Sequence, residues 1–334
     1  MNVLHSLLRD RSSLVDQWTL TVAAPPTPSP SRTASGHHSG EHRIDHEPQQ
    51  WRHGLQAQPG LQDHQEDTRV STRPFHSLLQ NTKRPVEKLT GEIEVFESLW
   101  SREDEIRRAG ITVVPGAGFD VVPTDCLAAY VAAHLERPRA LIIALRSAAS
   151  ASQGPMRTAI RQVAKPVLCR REGAIVPLDD QSPRLVNFGD SDEPCLPISW
   201  GDVATAFHRT GIENITVYFR RTRLLRVATD TGHLLGRLLR SRPGQRGLAA
   251  IVRRLPEEPS ESTRAKHQST IWAGVSDGSG QSSSALLQTP DPYDFTAHSA
   301  VEIASRVSAL PSPLGLATPS QAFGAGFRAE SSWM

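Results

Sequence analysis

A short segment rich in glycine carries the first group of side chains that could do chemistry. Residues 116–125, here called the glycine segment, contain Gly116 and Gly118, followed by Asp120 and Asp125. Glycines after a strand allow the backbone to approach a ligand closely, and carboxyl groups can orient a substrate or transfer a proton. The segment is an incomplete dinucleotide-binding fingerprint, because position 121 is Val121 and no acidic residue follows at a strand end about twenty residues on.

The candidate residues of the glycine segment also have more ordinary interpretations. Gly116, Gly118 and Phe119 are the candidate cofactor-binding residues, although the incomplete fingerprint favours a plain strand-to-helix turn. Asp120 is a candidate catalytic residue that transfers a proton, and Asp125 is a candidate substrate ligand. For Asp125, capping of the helix that begins there is the more common role of an aspartate.

A second group, residues 200–208, combines aromatic and polar side chains and is here called the tryptophan–histidine segment. A helix beginning at Asp202 would bring Thr205 and His208, three residues apart, onto one face. His208 is a candidate catalytic general acid, because histidine titrates closest to neutral pH. The common alternative is a histidine that binds a carbonyl group at a helix end. Trp200, Asp202 and Thr205 are candidate substrate-binding residues.

Basic and leucine-rich sequence dominates positions 220–254. This span holds ten arginines against one acidic residue, Asp230. An amphipathic basic helix of this composition is typical of contact with an anionic membrane surface, so peripheral membrane binding is one interpretation. The other interpretation is a leucine stripe that faces the protein core and leaves its arginines in solvent.

The composition restricts the class of protein. With 37 basic and 35 acidic residues the net charge is +2, which does not indicate nucleic acid as a partner. Three cysteines without a CxxC spacing, and histidines concentrated in a polar tract, predict no metal site. No apolar run approaches the eighteen or so residues of a membrane span and no signal peptide is recognisable, so we expect a cytoplasmic protein.

The elements that must position these side chains follow from hydrophobic periodicity. Apolar residues near 3.6-residue spacing predict a helix over residues 93–109, then a buried strand at 111–114 and a second helix to about 136. Farther along, we expect strands at 141–145, 175–176, 214–219, 271–275 and 285–288, with helices at 156–164, 202–209 and 297–307. This alternation predicts an α/β unit followed by an α+β domain with a mixed β-sheet.

The chain before about residue 85 has a different character. Residues 25–75 contain only eight apolar side chains, too few to offset the conformational entropy lost on folding, so we expect a disordered N-terminal region. The predicted organisation is a disordered or aberrant segment at 1–84, an incomplete α/β domain at 85–136, an α+β substrate or dimerisation domain at 137–290, and a C-terminal helix and tail at 291–334.

Three segments, taken in order and spacing, resemble the saccharopine dehydrogenase-like family of oxidoreductases. They are LTGEIEVFESL at 89–99, PGAGFDVVPTDCLAAYVA at 115–132 and ISWGDVATAFHRTGIENITVY at 198–218. Two weaker similarities are TPDPYDFTAHSAVEIASRV at 289–307 and LATPSQAFGAGF at 316–327. The resemblance covers about residues 85–327.

The resemblance implies an enzyme that transfers hydride from NADP or NAD to a small or lipid-like substrate. It also implies a Rossmann domain ahead of the α+β domain, with a homodimer as one arrangement. Residues 85–136 would then be the remnant of the Rossmann-type domain, and we expect impaired activity in this chain. The alternative function is that of a non-catalytic remnant, acting as a protein-interaction or peripheral membrane module.

In that family the chain begins with a strand and a glycine-rich phosphate loop, where this sequence has about ninety residues biased toward Arg, His, Gln, Pro and Ser. We therefore expect a frameshift or a misassigned start upstream of about codon 85. Translation of the genomic DNA in the other two frames should reveal a strand–GxxGxxG–helix pattern. Absence of that pattern from both frames would contradict the expectation.

Overall fold

The computed structural model describes residues 92–147, 165–221, 260–265, 267–310 and 314–325, the backbone of the short strands 19–23 and 86–88, and residues 244 and 247. All of them belong to one compact unit formed by residues 1–25 and 81–334. Apart from strand 19–23, the predicted disordered region lies outside the described residues. So do the predicted helix 156–164 and nearly all of the basic span 220–254.

Strands and helices alternate through the described part of the chain. The strands are β1 (Thr19–Ala23), β2 (Val86–Lys88), β3 (Thr112–Pro115), β4 (Ala140–Ser147), β5 (Leu168–Arg171), β6 (Ala174–Pro177), β7 (Arg184–Asn187), β8 (Asp192–Ile198), β9 (Asn214–Arg220), β10 (Ser269–Ser276), β11 (Ser282–Thr289) and β12 (Gly315–Leu316). The helices are α1 (Ile93–Trp100), α2 (Glu103–Arg108), α3 (Val122–Ala132), α4 (Asp202–Thr210), α5 (Glu261–Arg264), α6 (Pro292–Ser308) and α7 (Pro319–Phe323).

Nine strands form one large mixed sheet. Its order is β1–β11–β10–β4–β9–β5–β6, and β8 pairs with the far end of β9 and with β7. Strands β4 and β9 run parallel, whereas the other described pairs of this sheet run antiparallel. The α/β arrangement with a mixed sheet that the sequence predicts is therefore confirmed.

A smaller sheet joins distant parts of the chain. Strands β2 and β12 flank β3, and both pairs are parallel. Helices α1 and α2 connect β2 to β3, as a crossover between parallel strands requires. The β12 partner comes from the C-terminal part of the sequence, with Leu316 opposite Val113. Periodicity does not predict a strand of two residues, so the sequence analysis missed it.

The single helix predicted over residues 93–109 is wrong, because the structure divides it into α1 and α2. Helix α1 ends at Ser101, whose hydroxyl donates to the Ser98 carbonyl (3.0 Å). The next helix then begins with three acidic residues in its first turn, where negative charge interacts favourably with the helix dipole. A local charge pattern thus starts a new helix inside a continuous apolar periodicity.

Helix α3 lies at the centre of the fold. Nearly all of its residues are buried, from Val122 to Ala129 and again at Val131. It contacts β10 and β11 of the large sheet, and also α4 and α7. A helix that is apolar on almost every side has to be covered on every side, and these elements supply the cover.

We expect Leu127→Ala to lower the free energy of unfolding by about 2–5 kcal/mol, because truncation of a core leucine leaves a cavity. Leu127 is 2% exposed, whereas Leu185 on β7 is 68% exposed. Leu185→Ala is therefore the matched control and should change stability by less than about 0.5 kcal/mol. Urea denaturation followed by circular dichroism measures both variants. Equal losses in the two would contradict the burial of α3.

Candidate functional site

The structure brings the glycine segment and the tryptophan–histidine segment together. The indole N–H of Trp200 donates to the backbone carbonyl of Asp120 at 2.9 Å. This contact lies beyond the carboxyl end of β3, the edge at which open parallel sheets bind their ligands. Asp120 is exposed and Trp200 is half-buried, so both residues border on solvent.

The glycine segment turns sharply at Gly116. Its φ angle is +75°, and a Cβ atom there would come within 2.6 Å of Val121 Cγ2. Glycine is therefore required for steric reasons that are independent of any ligand. Residues 116–119 are buried, and this part of the segment has the character of a packed turn.

Helix α6 covers the turn and engages its backbone. Ser299 Oγ donates to the Ala117 carbonyl (2.8 Å), and the Phe119 N–H donates to Thr296 Oγ1 (3.0 Å). The Phe119 ring also packs edge-on against Phe295, with ring centroids 5.8 Å apart. These contacts fix the backbone that leads to Asp120.

The fit of a pyrophosphate to this turn depends on free N–H groups. The Phe119 N–H is engaged by α6, and the N–H groups of Val121 and Val122 donate to the Gly118 carbonyl. A dinucleotide loop uses such donors for phosphate oxygens. The Phe119 N–H is therefore not free to bind a phosphate oxygen in this conformation, and Gly116 and Gly118 stay predicted cofactor-binding residues.

Asp125 connects α3 to the C-terminal helix. Its Oδ2 atom accepts the backbone N–H of Ser320 at 2.7 Å, and the residue is fully buried. The Ser320 hydroxyl accepts in turn from Arg209 Nε (2.7 Å). Burial raises the pKa of Asp125 to about 6, although the Ser320 hydrogen bonds oppose the rise. The predicted substrate ligand thus lies inside the protein, tying α3 to α7 and α4.

Asp202 is also fully buried, at the start of α4. Neither of its carboxyl oxygens has a hydrogen-bond partner among the described residues. Burial raises its pKa well above the usual value, and the neighbouring Asp125 and Asp120 carboxyl groups add to the rise. A hydrogen bond from the Thr124 hydroxyl to Asp202 would lower this pKa. That hydroxyl donates to the Val121 carbonyl instead (2.9 Å). Asp202 therefore favours the neutral acid.

Asp120 differs from these two carboxyl groups because it is an exposed residue. Burial of its carboxyl group among protein atoms raises the pKa of Asp120 to about 6. The residue as a whole is nevertheless exposed, in contrast to the fully buried Asp202. A carboxyl group that is accessible and titrates near neutral pH can transfer a proton to or from a ligand. Thr205 offers no such access, since it is buried in α4 near the Gly201 carbonyl.

His208 belongs to a separate cluster at the other end of α4. Its ring stacks on Trp100, with centroids 4.1 Å apart and planes inclined by 6°. Its Nε2 atom lies 3.5 Å from Glu97 Oε1. The His208 contact and the Arg170 guanidinium lower the pKa of Glu97, against the opposing effect of burial. The ring is thus held inside an aromatic and ionic cluster.

Arg170 is the buried centre of that cluster. Its side chain donates to Glu97 Oε1 (2.6 Å), to the Val203 carbonyl (2.9 Å) and to the Gly173 carbonyl (2.5 Å). The guanidinium carbon also lies 4.0 Å from the centre of the Phe207 ring. Sequence reasoning missed both Glu97 and Arg170, since isolated charged residues on an amphipathic helix and a strand give no signal. The contacts of Glu97 and Arg170 join α1 and α4 to the turn between β5 and β6.

The described residues give no sign of a metal site or a membrane span. Within the residues described, no group of three or more His, Cys, Asp and Glu side chains could hold a metal ion. None of the described helices combines the length and apolar character needed to cross a membrane. No protein-family model and no curated protein matches the sequence. The family resemblance therefore stays a prediction.

The burial of Asp202 predicts an unusual dependence of stability on pH. Because its pKa is raised in the folded state, its stabilising contribution is fully present below about pH 4 and is lost as the pH rises through the folded-state pKa. Asp125 has a raised pKa for the same reason, and the free energy of unfolding should therefore fall by a further amount on the order of 3 kcal/mol between about pH 4 and pH 6. We expect Asp202→Asn to be more stable than the wild type at pH 8 and equally stable near pH 4.

Thermal and urea denaturation across this pH range measure the effect. Asp179→Asn, in the segment between β6 and β7, is the control, because Asp179 is exposed and the substitution should leave the pH profile unchanged. A variant Asp202→Asn that is less stable than the wild type at pH 8 would contradict the assignment. That result would mean that Asp202 is ionised and held by a favourable partner.

Proposed function

We propose that the described residues form the substrate side of an oxidoreductase similar to the saccharopine dehydrogenase-like enzymes. The observation that carries the proposal is the 2.9 Å hydrogen bond between the Trp200 indole and the Asp120 carbonyl. This bond joins the glycine segment to the tryptophan–histidine segment, and the sequence identifies candidate site residues in both. Trp200 lies 80 residues after Asp120. They meet at the carboxyl edge of a parallel sheet, where such enzymes bind substrate.

Asp120 is the proposed proton-transferring residue. It is exposed beside Trp200, and its pKa of about 6 allows it to gain or lose a proton near neutral pH. His208, the other candidate, stacks on Trp100 and faces Glu97, so its ring is engaged within the protein. The geometry therefore favours Asp120 for the chemistry and gives His208 a structural role.

The bound nicotinamide nucleotide of such an enzyme supplies the hydride. Several N–H groups at the two strand-to-helix turns of the small sheet are already engaged within the protein. In the glycine segment these are the N–H groups of Phe119, Val121 and Val122, and at the start of α7 those of Ser320 and Gln321, which donate to Asp125 and to Thr318 Oγ1. The phosphate ligands are therefore not assigned to these turns.

The proposal predicts saturable binding of NADPH by the full-length chain, competed by NADP, in a fluorescence titration. Such binding would contradict the expected frameshift and would mean that the nucleotide site lies in a part of the chain that the sequence analysis did not recognise. Asp120→Asn should leave the affinity for NADPH unchanged, because Asp120 is assigned to proton transfer. The same variant should lower turnover of a carbonyl, imine or alkene compound by about 100-fold or more. His208→Gln is the control and should lower that turnover by less than about tenfold.

Folded protein that shows no saturable NADPH binding would contradict the proposal. The alternative, a non-catalytic interaction or peripheral membrane module, would then be favoured. Co-sedimentation with anionic liposomes that weakens with added salt would support the membrane version of that alternative. Equal loss of turnover in Asp120→Asn and His208→Gln would instead contradict the choice of Asp120.

A further inference from the structure

Two ion pairs hold the segment before β10 against the first turn of α6. Arg264 Nε lies 2.9 Å from Asp294 Oδ1, and His267 Nδ1 lies 4.0 Å from Asp291 Oδ2. The Asp291 side chain is fully buried, and that of His267 is 25% exposed. The first pair keeps its charges across the ordinary pH range, since arginine does not lose its proton.

Asp291 has two roles at the beginning of α6. Its Oδ1 atom accepts the Tyr293 N–H at 2.9 Å and so caps the helix. Its Oδ2 atom faces His267, and neither Oδ2 nor His267 Nδ1 has a hydrogen-bond partner among the described residues. Burial raises the pKa of Asp291, while the Tyr293 N–H and the charges of His267 and Arg264 oppose the rise. The Asp291 carboxyl group thus lies buried beside the His267 imidazole.

The first turns of α6 hold the glycine segment in place. Thr296 and Ser299, five and eight residues after Asp291, bind the Phe119 N–H and the Ala117 carbonyl. At a rise of 1.5 Å per residue, Thr296 lies about 8 Å along the helix from Asp291. A change in the position of the first turn of α6 therefore reaches the backbone next to Asp120.

We propose that His267 is a positioning residue whose protonated form pairs with Asp291, fixes the first turn of α6 and thereby holds the glycine segment. Histidine is the side chain that ordinarily changes charge between pH 5 and 8. The pairing strengthens as His267 gains its proton, because a cation beside a buried carboxylate replaces part of the lost hydration. Arg264 and Asp294, the other charged groups that face this contact, form their own ion pair.

The test measures hydrogen exchange of the Phe119 amide in the full-length chain, expressed as a protection factor that removes the intrinsic pH dependence. In the wild type we expect protection to fall about five- to tenfold between pH 5.5 and pH 8, as the contact with α6 loosens. In His267→Gln, which stays neutral, and in His267→Lys, which stays cationic, the part of the step that comes from His267 should be absent, and only the contribution of Asp120, Asp125 and Asp202 should remain. At pH 8 the Lys variant should show about five- to tenfold higher protection than the Gln variant.

His298→Gln is the matched control on the same helix. The His298 ring contacts the Asp294 carbonyl within α6 (2.7 Å) and faces no described carboxylate, so the pH step should be retained. A pH step in His267→Gln that is as large as in the wild type, or a step that is lost equally in His298→Gln, would overturn the inference. If the Gln variant does not fold, a pH step in His267→Lys as large as that of the wild type would overturn it alone. The measurement involves no nucleotide, so its outcome is independent of the proposed enzymatic function.

Discussion

The burial of helix α3 is the constraint on which the rest of the structure depends. Its apolar residues cover almost the whole surface of the helix, so it is stable only when protein surrounds it. The large sheet supplies one wall, and α4 and α7 supply others. Because α3 starts where β3 ends, this packing also fixes the glycine segment relative to both sheets. The candidate site is therefore a consequence of how one helix is enclosed.

The enclosure has an electrostatic consequence, since α3 and α4 carry Asp125 and Asp202 into the interior. A buried carboxylate needs strong hydrogen bonds or a cation to stay charged. Asp125 has one such bond, from the Ser320 N–H, whereas Asp202 has no hydrogen-bond partner among the described residues. Their proximity makes the acid form of Asp202 the favoured one. Asp120, at the solvent edge of the same group, remains the carboxyl group that can meet a ligand.

The structure also separates residues that the sequence had grouped together. Trp200 lies with Asp120 at the edge of the parallel sheet, but His208 lies with Glu97 and Arg170 at the opposite end of α4. Helix α4 advances about 9 Å from Asp202 to His208, which is enough to divide one dense sequence motif between two environments. One environment borders on solvent, and the other fastens α1 to the body of the protein.

The sequence by itself determined half of the described strands, helices α3 and α4, and the two segments that form the candidate site, because hydrophobic periodicity and glycine turns are local properties. It predicted a turn after β3, whereas the steric need for glycine at Gly116 follows from the approach of Val121 in the folded protein. Only the tertiary structure decided which carboxyl groups are buried and which partners they have. Asp125 takes its hydrogen bond from Ser320, 195 residues away, and β3 takes a neighbour from Gly315 and Leu316. Burial and pKa depend on atoms from distant parts of the chain, and no local pattern records them.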